Sequence, residues 1–276
     1  MKRKWSTAAR LPSFDFSGAA LRSHWARLHS GDCEPFPAAA ALRERFDCDD
    51  ASRSTKEVVA TVQDAWRAFH SGDFQAAFEA GSQVGLAGFA VALKAVGIYA
   101  TAVEKNSQQA EKLLYEASES AKAIVERLPE DANAHYLHAF MVGRYGQRIS
   151  IAEALARGLA GQIETGLNRA LKLEPKHADA HTALGVYHSE IVAKLGSLAA
   201  AITYGASSDK ALEHFRKAVK LAPHVPAIKV EYAHALLRLD ETVYADDIEA
   251  LLNEAAECEP ADAAEWLDCE RAKKLR

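Results

Sequence analysis

Eleven histidines are the most chemically capable side chains in this 276-residue sequence. His181 and His188 are spaced to share one helix face, and His135 and His138 sit one turn apart. Imidazoles on one face could begin a zinc site. Zinc, however, takes three or four converging ligands with oriented partners behind them, and two separate pairs do not supply that. The four cysteines, Cys33, Cys48, Cys258 and Cys269, form no C-x-x-C and read as reduced thiols. The acidic run Asp47–Asp50 lacks the spaced oxygens and the glycine of a calcium loop and reads as a solvated turn. No H-E-x-x-H, G-x-S-x-G, G-x-x-x-x-G-K-[ST] or G-x-G-x-x-G occurs. The expectation is therefore no catalytic residue, no metal and no cofactor: a non-enzymatic protein.

The net charge of −5 offers no basic footprint for nucleic acid. The opening MKRK is followed by polar and acidic residues, not by the apolar stretch of a secretory signal, so a cytoplasmic location is expected. Val84–Val103 has the length of a bilayer span. Lys94 at its centre is costly in lipid, and its many alanines and glycines add little to insertion. It reads as a buried helix with close backbone contacts, not a membrane span.

The elements that would position any site show themselves as a repeat. WARLHSGD, Trp25–Asp32, returns almost unchanged as WRAFHSGD, Trp66–Asp73, and self-similarity at a period of about 20–50 residues marks stacked helical units. Gly31 and Gly72 would end a first helix, and Asp32 and Asp73 would cap the next one. Four prolines, Pro129, Pro175, Pro223 and Pro260, each close a helical run. Stepping back from each proline by the same intervals meets Ala117, Ala121 and Ile124; Ile163, Leu167 and Ala170; Ala211, Phe215 and Ala218; and Ile248, Leu252 and Ala255. All are apolar, and their spacing puts each trio on one helix face.

With Leu184-Gly185 in His177–Ile191 and the run Asp209–Pro223, this pattern resembles the tetratricopeptide repeat family. The resemblance implies an all-α solenoid of about six helical hairpins, roughly 17–47, 56–84, 86–128, 130–173, 177–221 and 225–258, after an N-terminal tail at 1–16. The single domain at 17–276 matches best at 130–260. It closes with a capping helix at 261–275 anchored by Trp266, because a terminal repeat otherwise exposes its stacking face. His135, His181 and His188 fall where the repeat has packing aromatics, so they read as packing residues.

The first two proline-to-proline steps exceed the repeat's period of about 34 by roughly a dozen residues each. The surplus lies at 146–157 and 193–207, and the second segment is mostly apolar, with Leu195, Leu198, Ile202 and Tyr204. With GRYGQRIS and YGASSDKALEHF around them, these insertions make the chain similar to the helical domain of the regulator of microtubule dynamics family and its bacterial relatives. For one member that resemblance implies phospholipid binding.

In the tetratricopeptide pattern, set positions of each first helix face a concave groove. They fall on Tyr136, Phe140 and Arg144; Thr182, Val186 and Glu190; and Val230, His234, Leu237 and Arg238. Arg144 and Glu190 are expected to neutralise each other across helices. The leading expectation is a scaffold whose groove takes a protein or peptide partner. In the alternative, the two insertions fold over the groove as a lid for an apolar small molecule or lipid, with Arg144 or Arg238 on an acidic head group. In a third reading the apolar insertions pair two copies as a homodimer.

Overall fold

Helix starts in this chain are written in side chains that can accept a backbone N–H. Ser54 and Glu57 form a reciprocal capping box at the start of α3, Thr55–Ser71. Asp73 caps α4, Phe74–Gln83, and Asn106 caps α6, Ser107–Arg127. Asp131 caps α7, Ala132–Gly146, and Ser207 caps α12, Ser208–Leu221. α13, Pro226–Asp240, instead opens on a proline, whose missing N–H costs nothing in the first turn. The computed structural model describes residues 4–8, 10–46 and 54–276, and among them there are fifteen α-helices and no strand. Cys48 and Asp47–Asp50 lie outside the described residues.

The helices pair as antiparallel hairpins. α3 packs on α4. α5, Phe89–Ile98, continues through a π turn at Tyr99–Val103 and packs on α6. α7 packs on α9, Leu159–Leu173, and α10, Ala178–Leu195, packs on α12. α13 packs on α14, Ala245–Ala256. The four prolines sit at corresponding corners, between α6 and α7, α9 and α10, α12 and α13, and α14 and the last helix, α15, Ala263–Leu275. The two insertions carry one short helix each: α8, Ile151–Ala156, and α11, Ser197–Tyr204. Before the hairpins come α1, Ala20–Leu28, and α2, Ala39–Arg45. Residues 4–8 and 10–16 form no helix but are anchored, with Trp5 stacked on Tyr99 at 4.2 Å and Phe16 buried in the core.

Gly185 shows why a repeat of this kind needs a small residue in its first helix. A Cβ there would stand 2.6 Å from the ring of Phe215, which is fully buried on α12. Gly185→Val is expected to cost about 1–3 kcal/mol by overpacking, lowering Tm by about 2–4 °C per kcal/mol. Gly161→Ala is the control: it meets nothing within 4 Å on α9 and is expected to hold or raise Tm. Thermal melts by circular dichroism compare the two.

One expectation changes in the structure: the duplicated phrase does two different jobs. At Gly72 the chain turns left-handed (φ 89°) to end α3, and Asp73 caps α4. Gly31 lacks that conformation, the next helix does not begin until Ala39, and Asp32 caps no helix. The Ser30–Asp32 turn instead projects toward α10, where Gly31 O accepts the Asp179 N–H at 2.9 Å, and a Cβ on Gly31 would meet Asp179 Oδ1 at 2.3 Å. The last helix does more than cap the array. α15 packs on α13 and α14 and also reaches back to the first helices. Arg27 of α1 donates two hydrogen bonds to Glu265, at 2.5 and 2.8 Å, and His70 Nδ1 lies 2.7 Å from Asp262. The two ends of the chain meet.

The apolar segment Gly85–Val103 is long enough and apolar enough to cross a membrane, and 67% of it is buried inside the fold. Lys94, within it, is ion-paired to Asp32 and lies 3.9 Å from Asp179.

Candidate functional site

The first helices of successive hairpins place their i, i+4 residues on one inner face. On α7 these are Tyr136, Phe140 and Arg144, and on α10 they are Asp179, Thr182, Ala183, Val186 and Glu190. With Ala227, Ile228 and Glu231 of α13 they line an open groove of about 1760 Å³. Its deep end is closed by the Gly31–Asp32 turn, by Lys94 of α5, and by Trp266, Leu267, Asp268 and Arg271 of α15. Ile151 and Leu155 of α8, Leu195 of α10 and Tyr204 of α11 stand along its mouth.

Of the residues expected in the groove, Tyr136, Phe140, Arg144, Thr182, Val186 and Glu190 line it. The Thr182 hydroxyl is already used, donating to Ala178 O at 2.9 Å. Val230 is a correction: it is fully buried (0% exposed) among Leu212, Ala233, Leu236 and Leu252. His234, Leu237 and Arg238 do not line the groove either. α15 meets α13 at His234, whose Nδ1 lies 2.9 Å from Arg271 Nη2, whereas Leu237 and Arg238 are exposed outside the groove.

The arginine partners also differ from expectation. Arg144 donates to Glu231 Oε1 at 2.8 Å, and Arg271 donates to the same oxygen at 2.9 Å. Glu190 accepts from Gln147 at 2.6 Å and from Lys194 at 3.2 Å, and lies 3.7 Å from Arg238. Both arginines offered to an acidic head group are thus neutralised within the protein. Of the expected lid, Leu195 and Tyr204 reach the groove, while Leu198 and Ile202, each 77% exposed, do not line it.

The sequence reading passes over the deep end of the groove. Asp32 is 2% exposed and touches His29 Nδ1 at 3.0 Å as well as Lys94. Burial works to raise its pKa, but the Lys94 ammonium and the His29 ring hold it well below the usual carboxylate range. Burial works the same way on Glu231, and Arg144 and Arg271 overcome it. Asp179 and Asp268 have no such rescue. Burial pushes Asp179 up to about 6, opposed by Lys94 and reinforced by Asp32 and Glu265. It pushes Asp268 up to about 7, opposed by Arg271 and Arg144 and reinforced by Glu231 and Asp262. A signal for this end exists in the sequence: a lysine at the centre of a buried apolar helix requires a carboxylate against it.

His177 and His181 make contacts within the fold. His177 accepts the Ala180 N–H on Nδ1 and donates from Nε2 to Asn133 Oδ1, capping α10. His181 Nδ1 meets His214 Nδ1 at 2.9 Å. Among the described residues no group of three or more histidines, cysteines and carboxylates is placed to hold a metal ion.

The family model for regulator of microtubule dynamics protein 1-3 matches residues 86–275, which run from the turn before α5 through α15. Among solved structures, a thermophilic TPR protein of Thermus thermophilus, TTC0263, superposes with a TM-score of 0.56 at 17% identity, over 79% of this chain and 100% of that one. That is a likeness of fold. No curated protein matches the chain.

Proposed function

The chain belongs to the regulator of microtubule dynamics protein 1-3 family, and on that footing we propose that it is a non-enzymatic tetratricopeptide-like scaffold whose inner groove holds a segment of a partner protein. One observation carries this reading. The groove is open, is lined by aromatic and aliphatic residues of α7 and α10, and at about 1760 Å³ exceeds the roughly 300–1,000 Å³ typical of small-molecule sites. Tyr136, Phe140 and Val186 supply the apolar track, and hydrogen-bonding side chains flank it.

A photo-crosslinking residue placed at Phe140 or Val186 is expected to capture protein partners from a lysate of the source cell. The same residue at Tyr115, exposed and outside the groove, is expected not to. Equal capture from the three positions, or none from the inner two, removes the groove from the function.

The lipid or small-molecule alternative has the exposed apolar residues at the mouth in its favour, Ile151 and Leu155 among them. Against it stand the open mouth and the neutralised Arg144 and Arg238. Native mass spectrometry of the purified chain separates the two readings: a retained apolar ligand supports the alternative.

A further inference from the structure

At the deep end of the groove, oxygen acceptors outnumber donors. The Asp268 carboxylate accepts no hydrogen bond among the described residues, and Asp179 has only Lys94, 3.9 Å away. Glu231 is 4% exposed, and its Oε2 is buried with no partner while Oε1 takes both arginines. Tyr136, 7% exposed, lines the groove with a hydroxyl that makes no hydrogen bond among the described residues.

Among the described residues the buried and half-buried cations nearby are engaged, Lys94 by Asp32, Arg144 and Arg271 by Glu231, and Arg27 by Glu265, and only the exposed Lys274 on the last turn of α15 is without an ion pair. Six carboxylates, Asp32, Asp179, Glu231, Asp262, Glu265 and Asp268, thus face these four engaged cations and His70. A buried acceptor without a donor is costly, and Glu231 Oε2 is such an atom; Asp179 and Asp268 are half-buried, and partial burial raises their pKa values to about 6 and about 7. An anion brought here would meet like charge. A cation bearing several N–H groups would satisfy the oxygens, with the Tyr136 and Trp266 rings at hand.

We propose that the deep end of the groove receives a lysine or arginine side chain of the partner protein, whose apolar neighbours lie along Phe140 and Val186. This rests on the reading of the groove as a protein-binding surface and adds the partner's chemistry. The volume favours a chain segment over a free amine, which would fill only a fraction of it.

The test is selection of a random displayed peptide library on the full chain, in parallel with Asp179→Asn/Asp268→Asn. Neither substitution breaks a hydrogen bond among the described residues, and each removes a carboxylate whose charge burial disfavours, so Tm at neutral pH is expected to hold or rise. Peptides enriched on the wild type are expected to share a lysine or arginine between apolar residues. Changing that residue to glutamine should weaken binding about tenfold, and the double variant should shrink the difference below about threefold. Binding of the lysine peptide is expected to strengthen from pH 5.5 toward pH 8, as Asp179 (facing Lys94, Asp32 and Glu265) and Asp268 (facing Arg271, Glu231, Arg144 and Asp262) lose their protons.

Enriched peptides without a basic residue, or a preference unchanged in the double variant, overturn the inference and leave the groove reading standing. No enrichment on either protein counts against both. Displacement of the peptide by n-butylammonium at concentrations equal to the peptide's overturns the commitment to a protein source.

Discussion

Lys94→Met lowers the stability of the folded chain by about 3–5 kcal/mol at pH 8. The substitution keeps the length of the side chain and improves the hydropathy of α5, so burial of apolar surface alone would have it stabilise. The opposite sign is expected because Asp32, 2% exposed, keeps its charge through Lys94 and His29. Without the ammonium a carboxylate is left in a water-poor site beside a neutral imidazole.

Two further measurements identify the cause. Burial holds His29 down to about 4, with Lys94 contributing to the depression and Asp32 opposing it. With Lys94 gone the ring takes a proton more readily and restores a cation, so the loss is smaller at pH 6 than at pH 8. Asp32→Asn/Lys94→Met removes both charges and recovers more than half of the loss, since replacing a buried pair costs far less than orphaning one partner. Urea unfolding of the wild type and both variants at the two pH values reads this directly. A loss below about 1 kcal/mol in the single variant would show that Asp32 does not depend on Lys94.

The hairpins are legible from sequence because their signals are local. Proline corners, capping side chains and trios such as Ala211, Phe215 and Ala218 act within a turn or two of where they stand. The deep end of the groove is less legible, because it is made by segments far apart in sequence. In the duplicated phrase the residues themselves mislead, and their C-terminal neighbours decide. After Asp73 comes the helix-forming FQAAFEA; after Asp32 comes CEPFP, where Pro35 and Pro37 keep the chain out of a helix until Ala39.

The groove residues divide along the same line. Positions counted along α7 and α10 land on the inner face, since each of these helices presents that face in the repeat's own register. On α13 the count fails at Val230. Glu231 faces the groove in its place, and Arg271 of α15 sits on both Glu231 and His234. No feature of α13 alone announces a helix folding back from the chain's end. Asp262 gives a partial sign, since it caps α15 and also meets His70.

Acidification from pH 6 to 4.5 removes about 2.7 kcal/mol of stability per pH unit. Burial depresses His29, His177, His181 and His188, each to about 4 from 6.5. For His177 the geometry adds its own barrier: Nδ1 accepts the Ala180 N–H, so a proton there breaks the cap of α10. Between pH 6.5 and 4 the unfolded chain therefore binds more protons at these four sites than the folded chain, and stability falls as pH falls through that window. Asp179 and Asp268 work in the opposite direction. With pKa values raised to about 6 and about 7 they hold protons in the fold that the unfolded chain lacks, so they add stability on acidification. His138, His214 and His234, also lowered by burial, act with the four, and Glu34 and Glu265, raised by burial, act with the two; four sites against two leave about two protons, hence the slope. His177→Asn keeps a cap-competent oxygen and cannot charge, so the slope flattens by about 1.4 kcal/mol per pH unit. Asp179→Asn/Asp268→Asn steepens it, because the opposing pair is gone. Urea midpoints collected from pH 7 down to pH 4.5 decide the matter. A flat profile, or a double variant that flattens instead of steepening it, would mean that neither the buried imidazoles nor the unpaired carboxyls of the groove exist in the protonation states their surroundings impose.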